Sequence, residues 1–340
     1  MSKSELKLED IFFPVLFQPI YLKSASGILG SESGQQTMFP EDEYQKVERY
    51  KAVVDCERNY LFKVVSDSYE IVRNKEAYEI GKRAYARLFP RIENVSDQFE
   101  VFKVTAPETR SYCHIDLVHK AVDINSGEQG QGDVYKPYLR ITNSYNSTHA
   151  LKFRIGFVRW ACRNGVIFDK KIVDVNLAHT KERLKANDLA EVVELEANVE
   201  QLRTMEERFA EYLGQLNQYK IPKLYASPVV SKALHINFNV NAEEDRKKVK
   251  EREKAKVFDQ TIQELVDKYY SKMGPHAYAL FNVITDYATH AEQVNKQLRV
   301  HTYQRRAGEW IKSFCKRYRD RHFGLDEYVG DELTMFQEVR

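Results

Sequence analysis

The residues best placed for chemistry lie in the stretch AYALFNVITDYATH, residues 277–290. Asn282, Asp286 and His290 recur every four residues, so in a helix they would lie along one face. Asp286 and His290 could share a metal ion, or Asp286 could orient His290 as a general base. Two ligands do not make a metal site, however. The alternative, which we favour, is a polar network that holds this helix in place.

A second candidate cluster lies in the stretch SYCHIDLVH. On a strand, alternation would place His114 and Asp116 on one face and His119 on the other. A nearby His149 or Asp133 could complete a metal cluster if the fold brought it close. Because a histidine on a strand is more often structural, this cluster is also a weak candidate.

Established catalytic signatures are missing from the sequence. It contains no GxxxxGK[ST] loop, no GxGxxG motif and no GxSxG motif. No two cysteines form a C-x-x-C pair, which argues against a zinc ribbon and is typical of a reducing cytosol. We expect each to be a small buried residue: Cys56, Cys113, Cys162 and Cys315. The sequence predicts no cofactor and no catalytic residue, and favours a binding protein over an enzyme.

Cations on two predicted strands suggest a surface for nucleic acid. The stretch RITNSYNSTHALKFRIGF predicts two strands joined by a polar turn, whose Asn and Ser residues are typical of turns. Alternation places Arg140, Lys152 and Arg154 on one face with Tyr138. Cations neutralise phosphates and an aromatic ring can stack on a base, as single-strand binding requires. The alternative is an ordinary solvated face. Trp160, which follows, is predicted to lie in the core.

A basic helix near the C-terminus is the strongest electrostatic feature. Residues 296–321 carry a net charge of +7, with Trp310, Phe314 and Tyr318 spaced as a buried helical stripe. The cations predicted to contact nucleic acid are Arg305, Arg306, Lys312, Lys316, Arg317 and Arg319. A merely solvated basic helix is the alternative. Residues 323–340 are predicted to form an acidic tail.

Composition sets limits on the class of protein. The chain has 340 residues, of which 43% are hydrophobic and 30% charged, a globular balance. The net charge of +2 means that any electrostatic function depends on an uneven distribution of charge. No apolar segment suits a signal peptide or a membrane span. We therefore expect a cytoplasmic protein that does not enter a membrane.

Hydrophobic periodicity predicts an α+β fold with a mainly antiparallel sheet in its N-terminal half. A hairpin with its turn at residues 57–59 precedes a helix that begins near Asn74. Period-two patterns then predict strands at 99–105, 110–118, 134–143 and 150–158, with one buried face and one polar, basic face. The predicted later helices span 246–273, 275–295 and 302–318. The predicted regions are an irregular segment 1–43, a sheet domain 44–180, a helical region 181–322 and the tail 323–340.

A narrow apolar stripe runs along a predicted long amphipathic or coiled-coil-like helix. Its members recur every three or four residues: Val192, Leu195, Val199, Leu202, Met205, Phe209, Leu213 and Leu216. Such a stripe requires a partner helix, within the chain or in a second subunit. We expect a homo-oligomer.

Four stretches resemble a known family. They are VVSDSYEIVRNKEAY, PYLRITNSYNSTHALKFRIGFVRWACRNGVIF, LAHTKERL and AYALFNVITDYATH. In this order the chain resembles, over residues 50–295, the phage/plasmid-like family classed as domain of unknown function 932. The resemblance implies residence in a mobile genetic element of a bacterial cell and an α+β fold. It supplies no catalytic residues.

Three functions follow as expectations. The leading one is a nucleic-acid-binding protein of a phage, prophage or plasmid, acting on single-stranded DNA by binding or annealing in replication or recombination. The first alternative is a counter-defence or host-takeover protein that binds a bacterial protein. The second is a metal-dependent nuclease or other hydrolase that uses Asp286 and His290 or His114 and Asp116.

Overall fold

The structure is a computed structural model. It describes residues 6–23, 44–88, 98–120, 122–125, 134–167, 174–180, 199–240, 245–291, 294, 299–319 and 323–340. Contacts divide the chain into two compact units. The first comprises Met1–Leu117, Leu139–Phe153 and Asp174–Glu196; the second comprises Val118–Tyr138, Arg154–Val173 and Ala197–Arg340. Residues of the predicted sheet domain, 44–180, are therefore divided between the two units.

The first sheet has three antiparallel strands in the order β1 (Val15–Lys23), β2 (Tyr44–Asp55) and β3 (Tyr60–Ser66). The tight turn between β2 and β3 confirms the predicted hairpin. Asp55 closes that turn, because its Oδ1 accepts hydrogen bonds from the backbone N–H groups of Glu57 (3.0 Å) and Arg58 (3.2 Å).

The N-terminal segment is not irregular throughout, contrary to prediction. Helix α1 (Leu8–Ile11) precedes β1, which pairs with β2 along the edge of the sheet. Pro19 obscured this strand in the sequence. A proline is tolerated on an edge strand, and the register shifts between Pro19 and Tyr21. Residues 24–43 of the predicted segment lie outside the described residues.

The second sheet contains the strands that the sequence predicted. The strands are β4 (Phe99–Thr105), β5 (Tyr112–His119), β6 (Ile124–Asn125), β7 (Val134–Ser144), β8 (Leu151–Arg159), β9 (Asn164–Val166) and β10 (Asp174–Leu177). Their order in the sheet is β10-β8-β7-β5-β4, with β6 pairing with β7 and β9 pairing with β8. Observed and predicted bounds of the four predicted strands agree to within two residues.

The polar face predicted for this sheet is covered along β7, so the alternative of an ordinary solvated face is wrong there. In β7 every residue from Tyr135 to Ser144 is buried, although polar and apolar side chains alternate along the strand. Helix α2 (Asn74–Leu88) covers one face, where Gly81 lies against Ile141 and Phe153. The opposite face of β7 is buried as well, so its polar side chains must find partners inside the protein.

Buried asparagines join α2 to the end of β7. The Nδ2 of Asn143 donates to the Val72 carbonyl oxygen (2.7 Å) and to Oδ1 of Asn74 (2.8 Å). The Tyr145 hydroxyl accepts from the Asn74 backbone N–H (2.8 Å), and Asn74 Nδ2 donates to the Ile11 carbonyl oxygen (3.0 Å). Asn143 is therefore a structural link and not simply a turn residue.

The C-terminal half is helical, which confirms the α+β class with antiparallel strands in the N-terminal half. After α3 (Val199–Gln218) and a short 3-10 turn, the helices are α4 (Ala226–Leu234), α5 (Asp245–Met273), α6 (Ala277–His290), α7 (Val300–Tyr318), α8 (Leu325–Val329) and α9 (Asp331–Val339). The expected acidic tail thus forms two helices, which bury Tyr328 and Phe336. No described helix is long and apolar enough to cross a membrane.

Helix α3 carries the described half of the predicted apolar stripe. Met205, Phe209, Leu213 and Leu216 are all buried within one chain. The Phe209 ring stacks on Phe157, with 4.3 Å between centroids. These four side chains need no second subunit. The first two stripe residues lie outside the described residues, and the homo-oligomer stays a prediction.

A test of the packing contrasts two glycines. A Cβ on Gly156 would lie 2.6 Å from the Val166 carbonyl oxygen, whereas a Cβ on Gly214 in α3 would meet no atom within 4 Å. Gly156→Ala should lower the free energy of unfolding by about 1–3 kcal/mol, because backbone cannot easily move aside. Gly214→Ala should raise it by up to about 1 kcal/mol, because alanine favours helix. Urea denaturation measures both; equal effects would contradict this packing.

Glu206 makes stability depend on pH. Burial, and to a smaller extent the charge of the neighbouring Glu207, raise the pKa of its carboxyl to about 7. Its Oε1 has no hydrogen-bond partner among the described residues. The folded state therefore holds a proton that the unfolded state loses above its ordinary pKa of 4.5. The associated stability is present below pH 4.5 and is lost as the pH rises through 7.

Glu206→Gln should remove this loss, because glutamine stays neutral at every pH. Since the side chain is partly exposed, we expect the variant to be more stable than the wild type by roughly 1–2 kcal/mol at pH 8. The difference should shrink towards zero near pH 4.5. Thermal denaturation across this range provides the measurement, and a gain that is constant with pH would contradict the assignment.

Candidate nucleic-acid interface

Arg140 is an internal ion-pair partner and not a surface cation. Its Nε donates to Asp116 Oδ1 (2.7 Å) and its Nη2 to Asp116 Oδ2 (2.6 Å). Both side chains are only 4% exposed. The forked geometry suits a guanidinium facing a carboxylate. The predicted contact of Arg140 with phosphate is therefore wrong for this fold. Asp116 was a candidate metal ligand, but both of its carboxylate oxygens accept hydrogen bonds from Arg140.

The other members of the predicted sheet face are also enclosed to different degrees. Tyr138 is fully buried, so its ring is not a stacking surface. Arg154 is half-buried and hydrogen-bonds to His301 of α7. Lys152 is half-buried too. The alternation of polar and apolar residues correctly predicted a polar face on this sheet. Most of that face is covered by the rest of the protein.

Helix α7 confirms two of the three residues of the predicted buried aromatic stripe. Trp310 and Phe314 are buried, and their rings stack with centroids 4.8 Å apart, whereas Tyr318 is half-buried. Two of the predicted cations of this helix contact other residues of the chain. Arg305 pairs with Glu309 (3.2 Å) one turn along the helix. Arg306 donates from Nη1 to the carbonyl oxygens of Leu234 (2.5 Å) and His235 (3.4 Å). Arg306 thus holds the end of α4.

The end of α7 keeps its cations at the surface. Lys316, Arg317 and Arg319 are exposed, and Lys312 is half-buried. Arg319 pairs with the exposed Glu211 at 2.9 Å, a contact of little energy in water. Lys316 has no ion-pair partner among the residues that the structure describes. These side chains can meet phosphates without breaking the fold.

The first half of α5 is a basic surface that our sequence analysis missed. From 246 to 254 no residue is buried, so this part of the helix meets solvent all round. It carries seven cations and two acids over residues 246–256, a net charge of +5. The cations are Arg246, Lys247, Lys248, Lys250, Arg252, Lys254 and Lys256. The signal was present in the sequence as a charge run without an apolar stripe.

The Asp286 cluster is the polar network that we favoured. Asp286 is buried, and its Oδ2 accepts from Lys268 Nζ and from the Tyr269 hydroxyl, each at 2.7 Å. Asn164 Nδ2 donates to that hydroxyl (3.1 Å), and burial raises the pKa of Tyr269. His290 instead is exposed, and its Nε2 donates to the Cys162 carbonyl oxygen (3.1 Å).

His114 lies beside His149, as the metal hypothesis required, but Asp116 faces Arg140. The two imidazole centroids are 5.9 Å apart, and His114 Nδ1 hydrogen-bonds to Thr142 Oγ1 (2.8 Å). Asp133 lies outside the described residues. Among the residues that are described, no group of three or more His, Cys, Asp and Glu side chains could hold a metal ion.

His119, on the same strand, is fully buried and close to the Lys136 ammonium. Burial, and to a smaller extent the nearby Lys136 charge, lower the pKa of its imidazole to about 4. His119 is therefore neutral at physiological pH and belongs to the core.

Two further expectations need correction. Trp160 is 40% exposed rather than buried, and the Lys136 ammonium lies 5.3 Å from its ring centroid. Cys56 is exposed and Cys162 half-buried. The other two cysteines, Cys113 and Cys315, are buried as predicted, and burial raises the pKa of each thiol to about 12.

Comparison with known proteins places the chain in a family. Residues 61–313, more than half of the chain, match the family described as Domain of unknown function (DUF932). The chain belongs to this family. No curated protein and no solved structure matches it. The DUF932 match includes the Arg140 pair, the Asp286 network and the basic part of α5, whereas β1, β2 and Lys316 lie outside it.

Arg140→Ala tests whether this residue is structural. We expect a loss of about 3–5 kcal/mol in unfolding free energy, because the Asp116 carboxylate would remain buried without its partner. The double variant Arg140→Met with Asp116→Leu should recover much of the loss. Lys152→Ala, at a half-buried position, should cost far less. Chemical denaturation gives the values; an Arg140→Ala protein with wild-type stability would rule out the buried pair.

Proposed function

We propose that this DUF932 protein binds nucleic acid, with single-stranded DNA as its target, in the replication or recombination of a phage, prophage or plasmid. The observation that carries the proposal is the placement of exposed cations on two helices, along the first half of α5 and at the end of α7. The whole chain has a net charge of only +2, so these concentrations of charge are local.

Physical chemistry supports a phosphate backbone as the partner. Exposed lysines and arginines release condensed counterions when they neutralise phosphates, and this release provides most of the sequence-independent affinity. The buried Arg140, the carbonyl-bound Arg306 and Arg305, which pairs with Glu309, are left out of the proposed contacts. On the two helices, the proposed contacts are Arg246, Lys250, Arg252, Lys256, Lys312, Lys316, Arg317 and Arg319.

Hydrolysis receives no support from the described residues. Asp286 is neutralised by Lys268, and Asp116 by Arg140. We therefore propose binding without a chemical step.

Charge reversal in matched pairs tests the proposal. Arg252→Glu with Lys256→Glu alters α5, and Lys316→Glu with Arg317→Glu alters α7. Each double variant should weaken binding of a labelled single-stranded oligonucleotide several-fold at low salt. Each should also flatten the slope of log affinity against log salt by about 1.4, from two lost phosphate contacts at about 0.7 each.

The control is Lys75→Glu with Arg83→Glu on α2, which makes the same change in net charge at exposed positions. It should bind almost as the wild type does. Titrations of single-stranded DNA, duplex DNA and RNA at two salt concentrations complete the comparison. A wild-type protein that binds none of them at low salt refutes the proposal, and an equal effect of the control variant refutes the assigned surface.

A further inference from the structure

The three-stranded sheet exposes large apolar side chains to solvent. Exposed apolar side chains of the described residues are concentrated on it: Leu16, Tyr21, Leu22, Tyr44, Tyr50, Tyr60, Leu61 and Val64. Four of these are tyrosines. Apolar patches on a protein surface mark binding sites, because exposing them to water contributes nothing to the fold.

Strand pairing defines the outward face. Val15, Val53 and Val65 point inward, where they pack with Phe13 and Tyr145. Opposite residues in antiparallel strands share a face, so the outward rows follow from the register. The first row is Leu16, Val54 and Leu61, the second is Gln18, Ala52 and Val64, and the third contains Tyr50 and Ser66. Val54 and Ala52, on the central strand, are buried, so the exposed apolar members are Leu16, Leu61, Val64 and Tyr50.

Beyond a shift in register, the far end of the sheet adds two more exposed tyrosines. Tyr21 pairs with Lys46, and Tyr44 pairs with Lys23. Arg49 has a positive φ of 68°, which marks the irregular backbone where β2 departs from regular pairing. Along β2 the exposed Tyr44 and Tyr50 therefore flank the exposed Lys46 and Arg49.

Charge identifies the partner that this surface fits. Lys46 and Arg49 are exposed on β2, and Glu48 is the single exposed acid among the described residues of β1, β2 and β3. Lys46 lies 3.7 Å from Glu48, while Arg49 has no ion-pair partner among the described residues. A surface that joins tyrosine rings to excess positive charge complements bases joined to phosphates.

We propose that the β1–β3 sheet is a stacking platform for single-stranded nucleic acid. Bases stack on Tyr21, Tyr44 and Tyr50, and Lys46 and Arg49 meet the phosphates. The inference rests on the proposed function, since it assigns a second contact surface to the same ligand. It adds the reason for a preference for single strands, because the bases of a duplex are already stacked on one another.

The experiment replaces Tyr21 and Tyr50 together, by leucine in one variant and by phenylalanine in the other. Leucine keeps the apolar surface but removes the ring, whereas phenylalanine keeps the ring. The probe is a labelled oligothymidylate, with a duplex of matched length beside it. We expect the leucine variant to bind the single strand roughly ten-fold or more weakly with an unchanged salt slope, because stacking is not ionic. The phenylalanine variant should bind as the wild type does.

The outcomes separate this inference from the proposed function. Wild-type protein that binds no nucleic acid overturns both. Wild-type binding that the leucine variant retains overturns the platform alone, and leaves the helix cations as the interface. Equal losses in both variants overturn stacking in favour of the tyrosine hydroxyls. If Leu61→Asp changes the mass of an assembly while both tyrosine variants bind normally, the face is a protein contact and the platform is wrong. Thermal denaturation checks that each variant is folded.

Discussion

Burial of the central strands on both faces is the constraint from which much of the second sheet follows. Water cannot solvate a polar group on β7, so each such group needs a partner within the protein. Arg140 takes Asp116, Asn143 takes Asn74 and the Val72 carbonyl, and Lys136 reaches Asp123 and the Lys120 carbonyl oxygen. These contacts specify the neighbours of β7, and the same contacts remove its cations from any external ligand.

Local order could be predicted from the sequence because its causes are local. The hairpin at Asp55–Tyr60 follows from turn chemistry, and α2 from a helical repeat that begins at a capping residue type. Solvent exposure could not be predicted in the same way. Alternation along β7 looks the same whether the polar face meets water or is covered, and only the fold decides. The prediction for Trp160 was wrong in the opposite direction. Its size favoured a place in the core, but its position directly after β8 leaves it at the surface.

The sequence predicted that the candidate site consists of cations, but it identified only some of the residues that are exposed. Of the cations named on α7, those in its first turns have internal partners, whereas those at its end remain exposed. Arg306 shows why charge counting fails, because a guanidinium bound to two carbonyl oxygens adds to the net charge but offers no contact for phosphate. The basic half of α5 was overlooked because it lacks aromatic residues. Its exposure on every side makes it the less obstructed of the two surfaces.

The cationic helix surfaces and the apolar face of the β1–β3 sheet differ in how well they tolerate contact with water. A cationic helix end is compatible with solvent, since lysine and arginine are well hydrated. The outward face of the β1–β3 sheet is different, because Val53 and Val65 already provide its inward core while Leu16, Leu61 and Val64 lose contact with apolar neighbours by facing water. Polar β-formers such as threonine would support the same strands there. The apolar residues on this face are therefore the stronger indication that a ligand covers it.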